Sequence, residues 1–335
     1  MTDLSIVIPF YNAETYLCRM LTSVCQSVTR YRYEVILIDD GSTDSSIATV
    51  NRFTAKHENI SCFQISHGGV SRARNTGISK CTGTYVCFLD ADDFISPLYI
   101  ERMVGAIRSG TDLTVCGYEL RAGNRIRQRV LADADYHDLP EALRVMESVK
   151  RTMVQSVWNK IFVKQTIDKY GISFPENLPI GEDHSFFLDY CSRIKHIKTL
   201  SDVLYIHIKN EDSLSNKRFR YDILQKRANT IHRKNMDILS RYPSEIYTNH
   251  CSANYALDIY HSLLQLVSED HSLKFIEEEL ERNRSALTCS HTYNRRQRLP
   301  LILKRALQTG STVVLYLSLC ILNFYCKIIG RRLNT

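Results

Sequence analysis

Three carboxylates follow directly on an apolar run, and their spacing suggests chemistry. Tyr85–Leu89 has the composition of a buried strand, and Asp90, Asp92 and Asp93 stand where such a strand would reach the surface. In an extended backbone Asp90 and Asp92 point to the same side, roughly 6–7 Å apart. They would repel each other unless a cation lies beside them, such as a divalent metal carrying nucleotide phosphates. The alternative is a solvated acidic turn, with Asp92 or Asp93 capping the next helix before Pro97.

Other polar residues could complete a nucleotide site. The ring of Tyr11 could stack on a base, and a carboxylate from the pair Asp39 and Asp40 could accept a hydrogen bond from a base or a ribose hydroxyl. Arg74, near the start of a helix that follows a glycine pair, could meet a diphosphate together with the helix dipole. The alternatives are a packed core position for Tyr11 and a solvated surface position for Arg72 and Arg74.

Four short apolar runs, each followed by a helical pattern or a polar turn, would position these residues. The runs are Ser5–Phe10, Tyr33–Ile38, Ser61–Ser66 and Tyr85–Leu89. Strand and helix in alternation predict βαβ units and a parallel sheet, in which ligands bind beyond the carboxyl ends of the strands. Tyr11 and Asn12, Asp39 and Asp40, and Asp90 to Asp93 all lie at such ends. We therefore expect them to converge on one crevice suited to a nucleotide.

Composition favours a globular protein of the cytoplasm. The 335 residues suggest one large α/β domain with a smaller appendage. The eleven cysteines are scattered without a Cys-x-x-Cys pair, and the N-terminus has no basic segment of a signal peptide. From Arg282 onward there are ten Lys or Arg and no acid, so subtracting ten from the net charge of +7 leaves about −3 for the rest.

Four stretches carry a resemblance to a known family. Ser-Ile-Val-Ile-Pro-Phe-Tyr-Asn, Val-Ile-Leu-Ile-Asp-Asp-Gly-Ser-Thr-Asp, Gly-Val-Ser-Arg-Ala-Arg-Asn-Thr-Gly and Phe-Leu-Asp-Ala-Asp-Asp, in this order and spacing, resemble the family 2 glycosyltransferases. These are inverting enzymes of the GT-A fold, which is an α/β, Rossmann-like fold with a mostly parallel sheet and flanking helices. The resemblance implies a nucleotide-sugar donor, most often a UDP-sugar, and a divalent metal, Mg²⁺ or Mn²⁺.

The resemblance also implies roles for single residues. Asp90-Ala91-Asp92 would be the Asp-x-Asp element, with Asp92 as metal ligand and Asp90 either facing the ribose or sugar or joining it on the metal. The residues that bind the donor would be Pro9, Tyr11, Asn12, Asp39, Asp40, Arg74 and Asp90.

A second acidic pair offers the catalytic base. Inverting transfer requires a carboxylate that takes the proton of the attacking hydroxyl. The segment Gly181-Glu182-Asp183 resembles the base motif of the family, with Asp183 at the base and Glu182 beside it. The alternative is that acidic residues stand in a first helical turn because the helix dipole favours them there.

Trp158, the one tryptophan of the sequence, precedes Asn159 and Lys160. A lone tryptophan is usually a core residue, but beside these polar neighbours it could form the floor of a sugar site. A similar stretch lies near the acceptor side in the family.

Farther on, the chain resembles a Tyr-x-Tyr-Arg segment of the family, but Ile208 stands at the arginine position. His207 or Lys209 could compensate, or this is only an edge strand and a linker.

The C-terminal part shows helical periodicity from Phe219, broken at Tyr242-Pro243, and we interpret Glu277–Glu279 as a charged helix face. Near the end, basic residues flank an apolar run from 313 to 326 that is shorter than the roughly 20 residues of a membrane span. An amphipathic helix or hairpin on an anionic membrane surface is favoured. A spanning helix and a helix for packing or dimerisation are the alternatives.

These observations predict a catalytic domain over residues 1–217 and a helical extension over residues 218–335, with the membrane tail at about 295–332. The predicted function is that of a hexosyltransferase, which moves a sugar from a nucleotide-sugar donor to a hydroxyl of a lipid-linked glycan acceptor. This reaction would serve cell-surface polysaccharide synthesis at the cytoplasmic face of the membrane. A non-catalytic nucleotide-sugar-binding or scaffold protein is the alternative. Nucleic-acid binding is disfavoured because the basic residues of the tail alternate with lipid-like side chains and not with base-stacking rings.

Overall fold

The computed structural model describes residues 1–210, 218–288 and 300–328, which form two compact units. The first unit consists of residues 1–177 and 182–210, and the second of residues 178–181 and the chain from 211 onward. The predicted domain boundary after residue 217 borders the stretch 211–217, which lies outside the described residues.

One sheet forms the centre of the first unit. Its strands are β1 (Leu4–Phe10), β2 (Tyr33–Asp39), β3 (Ile60–Gln64), β4 (Tyr85–Phe88), β5 (Phe94–Ile95), β6 (Leu113–Ala122), β7 (Arg125–Arg129), β8 (Ala134–Tyr136), β9 (Lys160–Val163) and β10 (Ile197–Ile208). The helices of this unit are α1 (Glu14–Cys25), α2 (Ser46–Thr54), α3 (Val70–Lys80), α4 (Tyr99–Ile107), α5 (Leu139–Val149), α6 (Thr152–Gln155), α7 (Lys164–Tyr170) and α8 (Glu182–Cys191).

The strand order is β3-β2-β1-β4-β9-β6-β10-β5, with β7 paired to β6 and β8 paired to β10. The first four strands of this order are parallel, as predicted. Strands β6 and β10 are parallel to each other as well, but β9 runs antiparallel to both β4 and β6, so the expectation of a mostly parallel sheet holds only in part. Strands β5, β7 and β8 are antiparallel to their partners as well, so the whole sheet is mixed.

Every residue of β1 is buried, as expected for a parallel strand covered on both faces. Helix α3 packs closely against this strand. A Cβ atom added to Gly77 would lie 2.3 Å from Cγ1 of Val7, a distance that non-bonded carbon atoms cannot adopt. Glycine at this position therefore allows α3, which carries Arg74, to approach the sheet.

The second unit is helical. It contains α9 (Tyr221–Arg241), α10 (Glu245–Leu266), α11 (Leu273–Thr288), α12 (Leu301–Gln308) and α13 (Thr312–Ile328). The break predicted at Tyr242-Pro243 separates α9 from α10, and the side chain of Ser244 caps α10. Glu277 and Glu278 are exposed, but Glu279 is 4% exposed, so the interpretation of all three as a charged face is wrong for Glu279.

The predicted membrane tail falls partly on α12 and α13, while residues 289–299 and 329–335 lie outside the described part of the chain. One face of this helix pair packs into the core of the helical unit through Leu303, Leu315 and Leu319. Other apolar side chains of α13 are exposed, namely Val313, Val314, Leu317, Ile321 and Phe324. Within the described ranges, no helix combines the length and the apolar character that crossing a bilayer requires.

Candidate active site

The three carboxylates that follow β4 have different surroundings. Asp93 is fully buried and accepts hydrogen bonds from the Tyr205 hydroxyl at 2.5 Å and from the backbone N–H of Ile208 at 2.7 Å. Nδ1 of His207 lies 3.1 Å from the same carboxylate. Helix α4 begins at Tyr99, and its N-cap residue, Leu98, makes no capping hydrogen bond through its side chain. The alternative, in which Asp92 or Asp93 caps the next helix, is therefore wrong. Asp93 instead holds the end of β10 in place.

Asp92 is the second carboxylate of this turn. Its Oδ2 accepts a hydrogen bond from Nδ2 of Asn210 at 2.8 Å, and its backbone carbonyl accepts one from Arg19. Burial raises the pKa of Asp92 to about 6, and the charges of Asp93 and Asp90 act in the same direction. A cation beside Asp92 would oppose this rise in pKa, because it favours the ionised carboxylate.

Arg74 joins the third carboxylate to the predicted base. Nη2 of Arg74 lies 2.9 Å from Oδ1 of Asp90, and Nη1 lies 2.7 Å from Oδ1 of Asp183 and 3.4 Å from Oε1 of Glu182. The guanidinium is 3% exposed, packs 5.2 Å from the ring centre of Phe174, and leaves its Nε without a hydrogen-bond partner among the described residues. Residues 74, 90, 182 and 183 therefore form one cluster, named here the Arg74 cluster.

The electrostatics of the Arg74 cluster suit a base. Burial raises the pKa of Asp183, and the charges of Glu182 and Asp90 add to this effect against the opposing charge of Arg74. For Arg74 itself, burial opposes the charged form, but the surrounding carboxylates raise its pKa overall. A carboxylate with a raised pKa is a stronger base once it is ionised.

Residues at the ends of β1 and β2 form a separate polar corner. Both carboxylate oxygens of Asp40 accept backbone hydrogen bonds, from Gly68 at 2.8 Å and from Gly69 at 2.9 Å. Nδ1 of His67 lies 2.9 Å from Asp40, and the His67 ring lies 4.4 Å from the ring of Tyr11. Tyr11 is 47% exposed, so it is not the core aromatic of the alternative, and its ring is open to a ligand.

The remaining donor candidates support this corner. Oδ1 of Asn12 accepts a hydrogen bond from the backbone of Thr43 at 2.8 Å, and Asn12 has a φ of 47°, in the left-handed region. Oδ1 of Asp39 accepts one from the backbone of Ser42 at 2.9 Å, and Pro9 is buried within β1. Asn12 and Asp39 thus shape the loops that follow the strands, whereas Pro9 lies within β1.

Trp158, Asn159 and Lys160 are buried. The Trp158 ring stacks on Tyr205 with centres 4.4 Å apart, and Lys160 donates hydrogen bonds to the Ser156 carbonyl and to Oδ1 of Asn159, each at 2.7 Å. Burial lowers the pKa of Lys160 to about 7. Asn159 and Lys160 are 0% exposed, so their side chains pack in the interior of the unit. Their predicted contact with an acceptor stays a prediction.

Sequence reasoning gave no role to His67 or Asn210, which contact Asp40 and Asp92. His207 and Lys209, which could compensate for the arginine that Ile208 replaces, have contacts of their own in the structure. His207 contacts Asp93, and Lys209 donates its backbone N–H to the carbonyl of Arg121 at 2.8 Å. The two glycines after His67 were the available signal for a turn at Asp40.

The donor set of the turn fits a cation that is completed by a substrate. No group of three or more acidic, histidine or cysteine side chains in the described ranges could hold a metal ion unaided. Asp92 and Asp90 nevertheless supply hard oxygen ligands, and Mg²⁺ is commonly bound by one or two carboxylates together with substrate phosphates. These residues therefore fit a metal of this class.

Comparisons with known proteins agree with this fold. The family model described as Glycosyl transferase family 2 matches residues 5–171. An uncharacterized glycosyltransferase of Haemophilus influenzae is 41% identical over 215 residues, which cover 62% of this chain and 77% of that protein. The uncharacterized glycosyltransferase EpsJ of Bacillus subtilis is 28% identical over 216 residues, which cover 63% of this chain and 62% of EpsJ.

A third relative has a known structure. TarS of Staphylococcus aureus, a poly(ribitol-phosphate) β-N-acetylglucosaminyltransferase, is 25% identical over 210 residues, which cover 62% of this chain and 35% of TarS. The crystal structure of S. aureus TarS 1–349 in complex with UDP-GlcNAc superposes with a TM-score of 0.70 at 18% identity, covering 98% of this chain and 93% of that one. The matched stretch thus spans less than two thirds of the length of EpsJ and of full-length TarS.

Proposed function

The chain belongs to glycosyltransferase family 2, and from this premise we propose that it transfers a sugar, with inversion, from a nucleotide-sugar donor to a hydroxyl of a glycan acceptor. The Arg74 cluster carries the proposal. It joins the carboxylate after β4 to two carboxylates more than ninety positions farther along the chain, through one buried guanidinium. A UDP-sugar is the proposed donor, because the TarS structure with the same fold is a complex with UDP-GlcNAc.

In the proposed reaction Asp183 is the general base. Arg74 contacts Oδ1 of Asp183 and so orients the carboxylate, and Oδ2 accepts the proton of the attacking acceptor hydroxyl. The oxygen of that hydroxyl forms a bond to the anomeric carbon, while the bond to the nucleoside diphosphate breaks on the opposite side. Glu182, at the longer distance of 3.4 Å from Arg74, helps to keep the guanidinium in place.

The donor is proposed to bind along the ends of the parallel strands. The exposed ring of Tyr11 supplies a surface on which the base can stack, and Asp40 holds the loop of residues 67–69 beside it. A divalent cation, held by Asp92 with Asp90, would neutralise charge on the departing diphosphate. Asn210 orients the Asp92 carboxylate toward this task.

We further propose that the acceptor is lipid-linked and that the protein lies on the cytoplasmic face of the membrane, in the synthesis of a cell-surface polymer. The exposed apolar side chains of α13 support this, as does the absence of acidic residues after Arg282 in the sequence. TarS, named for its action on poly(ribitol phosphate), supports a surface polymer as the acceptor class.

The test is turnover of a panel of nucleotide sugars by the full-length chain, with Mg²⁺ or Mn²⁺ and with lipid-linked oligosaccharides as acceptors. Formation of a β-configured product from an α-linked UDP-sugar is the expected result. Donor binding in a thermal-shift screen without transfer to any acceptor would instead favour the non-catalytic binding protein.

A further inference from the structure

The helical unit contains a cavity of about 400 Å³ that the proposed reaction does not use. It is lined by the first turns of α9, by the loop between α10 and α11, and by one face of α11, so all of it lies within this unit. Its volume lies in the range of about 300–1,000 Å³ that is typical of small-molecule sites.

The floor of the cavity is a fixed polar network. The Tyr221 hydroxyl donates to Oε2 of Glu279 at 2.5 Å, and Glu279 also pairs with Arg282. Nε2 of Gln225 donates to Oδ1 of Asn283 at 2.6 Å, and its Oε1 accepts from Ser262 at 2.8 Å. These side chains are held in single orientations by their partners, so a ligand would meet a preorganised surface.

One wall of the cavity is aromatic. Phe275 is 37% exposed, and its ring centre lies 5.0 Å from that of His271. Tyr221 also lines the cavity. A partly exposed phenyl ring beside polar side chains suits a ligand with an apolar face and a polar edge, and a pyranose ring presents its C–H bonds on one face and its hydroxyls at the edge.

The charges of the lining balance one another. Besides His271 it holds three acidic residues and three basic ones, and of the basic residues Lys226 also has an interaction partner. Asp222 pairs with Arg220 at 3.3 Å, Glu269 lies 3.0 Å from His271, and Glu279 pairs with Arg282. A phosphate or a nucleotide would need cations without such partners. A neutral ligand whose hydroxyls both donate and accept hydrogen bonds matches these paired groups.

We propose that this cavity is a carbohydrate-binding site that takes a neutral segment of the glycan. This inference rests on the proposed function for the class of glycan, but it concerns a site in the helical unit, separate from the residues that act on the donor. The shared chemistry is that of a pyranoside, which either the glycan or the sugar of the donor could supply.

The test measures binding of the full-length chain to an array of bacterial cell-surface oligosaccharides, and then the affinity for a bound oligosaccharide in solution. Phe275→Ala is expected to weaken this affinity about tenfold through loss of ring stacking. Leu273→Ala is the matched control, because Leu273 is 65% exposed on the same helix and does not line the cavity. Asn229→Ala, which removes an exposed amide of the lining, provides a second variant.

Binding of an oligosaccharide that both lining variants weaken and the control retains would support the site. If the wild-type chain binds no oligosaccharide of the array, or if Phe275→Ala and Asn229→Ala bind as tightly as the control, the inference is overturned. A UDP-sugar that competes for the site more strongly than the oligosaccharide would also overturn the assignment to the glycan. Donor turnover is measured separately, so an inactive protein that still binds the oligosaccharide would count against the proposed function alone.

Discussion

Replacement of Asp183 by asparagine is the most direct perturbation of the proposed chemistry. The amide keeps the size of the side chain but removes the negative charge and the ability to take a proton. Arg74 retains Asp90 at 2.9 Å and Glu182 at 3.4 Å, so its guanidinium stays paired. We therefore expect a folded protein in which the base alone is missing.

The size of the effect follows from the geometry. A positioned general base contributes about 10²–10⁴-fold to the rate, which corresponds to about 2.7–5.4 kcal/mol of transition-state stabilisation. The effect on folding is smaller. Burial raises the pKa of Asp183 and thus disfavours its ionised form in the folded state, so losing that charge costs less than an ordinary ion pair. We expect the free energy of unfolding to change by no more than about 1.5 kcal/mol.

The assay is release of nucleoside diphosphate and formation of glycoside by Asp183→Asn at saturating donor, with urea unfolding of the same samples. Glu182→Gln is the matched control, since it makes the same chemical change at the next residue, whose contact with Arg74 is longer. It should lose less than about tenfold. A kcat of Asp183→Asn within tenfold of wild type, in a stably folded protein, would refute the assignment of the base.

Three other perturbations test separate parts of the structure. Asp92→Asn should abolish the dependence of UDP affinity on Mn²⁺, measured by calorimetry with and without EDTA, because it removes the charge that would bind the metal; unchanged dependence would exclude Asp92 as a ligand. Burial lowers the pKa of Lys160 from 10.5 to about 7, so the unfolded chain binds more protons between these values and stability rises with pH across that window. Between pH 7 and pH 9 the free energy of unfolding of the wild type should therefore rise by about 2 kcal/mol more than that of Lys160→Met. An equal pH dependence of the two free energies would contradict this prediction. Leu317→Glu, at an exposed apolar position of α13, should reduce flotation with anionic vesicles, whereas Gln308→Glu makes the same charge change on α12 and serves as control; equal flotation would argue against a membrane contact by this face.

The parallel half of the sheet was predictable because its strands are continuous apolar runs bounded by polar turns. The run Ser5–Phe10 becomes β1 and the run Tyr33–Ile38 becomes β2, each with one more residue. Strand β9 is different. It has four residues and is inserted antiparallel between β4 and β6, which are strands from distant parts of the chain. Neither the pairing nor the direction of β9 can be predicted from its own composition.

The acidic turn shows the same limit at the level of single residues. The sequence indicates three carboxylates but does not distinguish them, because their different surroundings come from far along the chain. Tyr205 and Ile208, 112 and 115 positions after Asp93, bury that carboxylate, while Asn210 reaches Asp92. Local spacing therefore could not distinguish the fully buried Asp93 from the half-buried Asp92.

The two arginines of α3 show why helix geometry helps. Arg72 and Arg74 are two residues apart, which places them about 200° apart around the helix axis. The alternative of a solvated surface position was predicted for both arginines. It is confirmed for Arg72, which is exposed, and wrong for Arg74, which is buried. The burial of Arg74 is tolerable only because three carboxylates surround it, and two of these, Glu182 and Asp183, come from α8.

The charge of the Arg74 cluster bears on how a diphosphate could bind. One guanidinium faces three carboxylates, so with all groups ionised the cluster carries two negative charges. Arg74 alone therefore cannot attract a diphosphate, although the resemblance to the family places it nearby. A divalent cation on Asp92 and Asp90 would offset this excess and draw Asp90 away from its pairing with Arg74. On this reasoning metal and donor depend on each other for binding, and Arg74 acts mainly by holding the base.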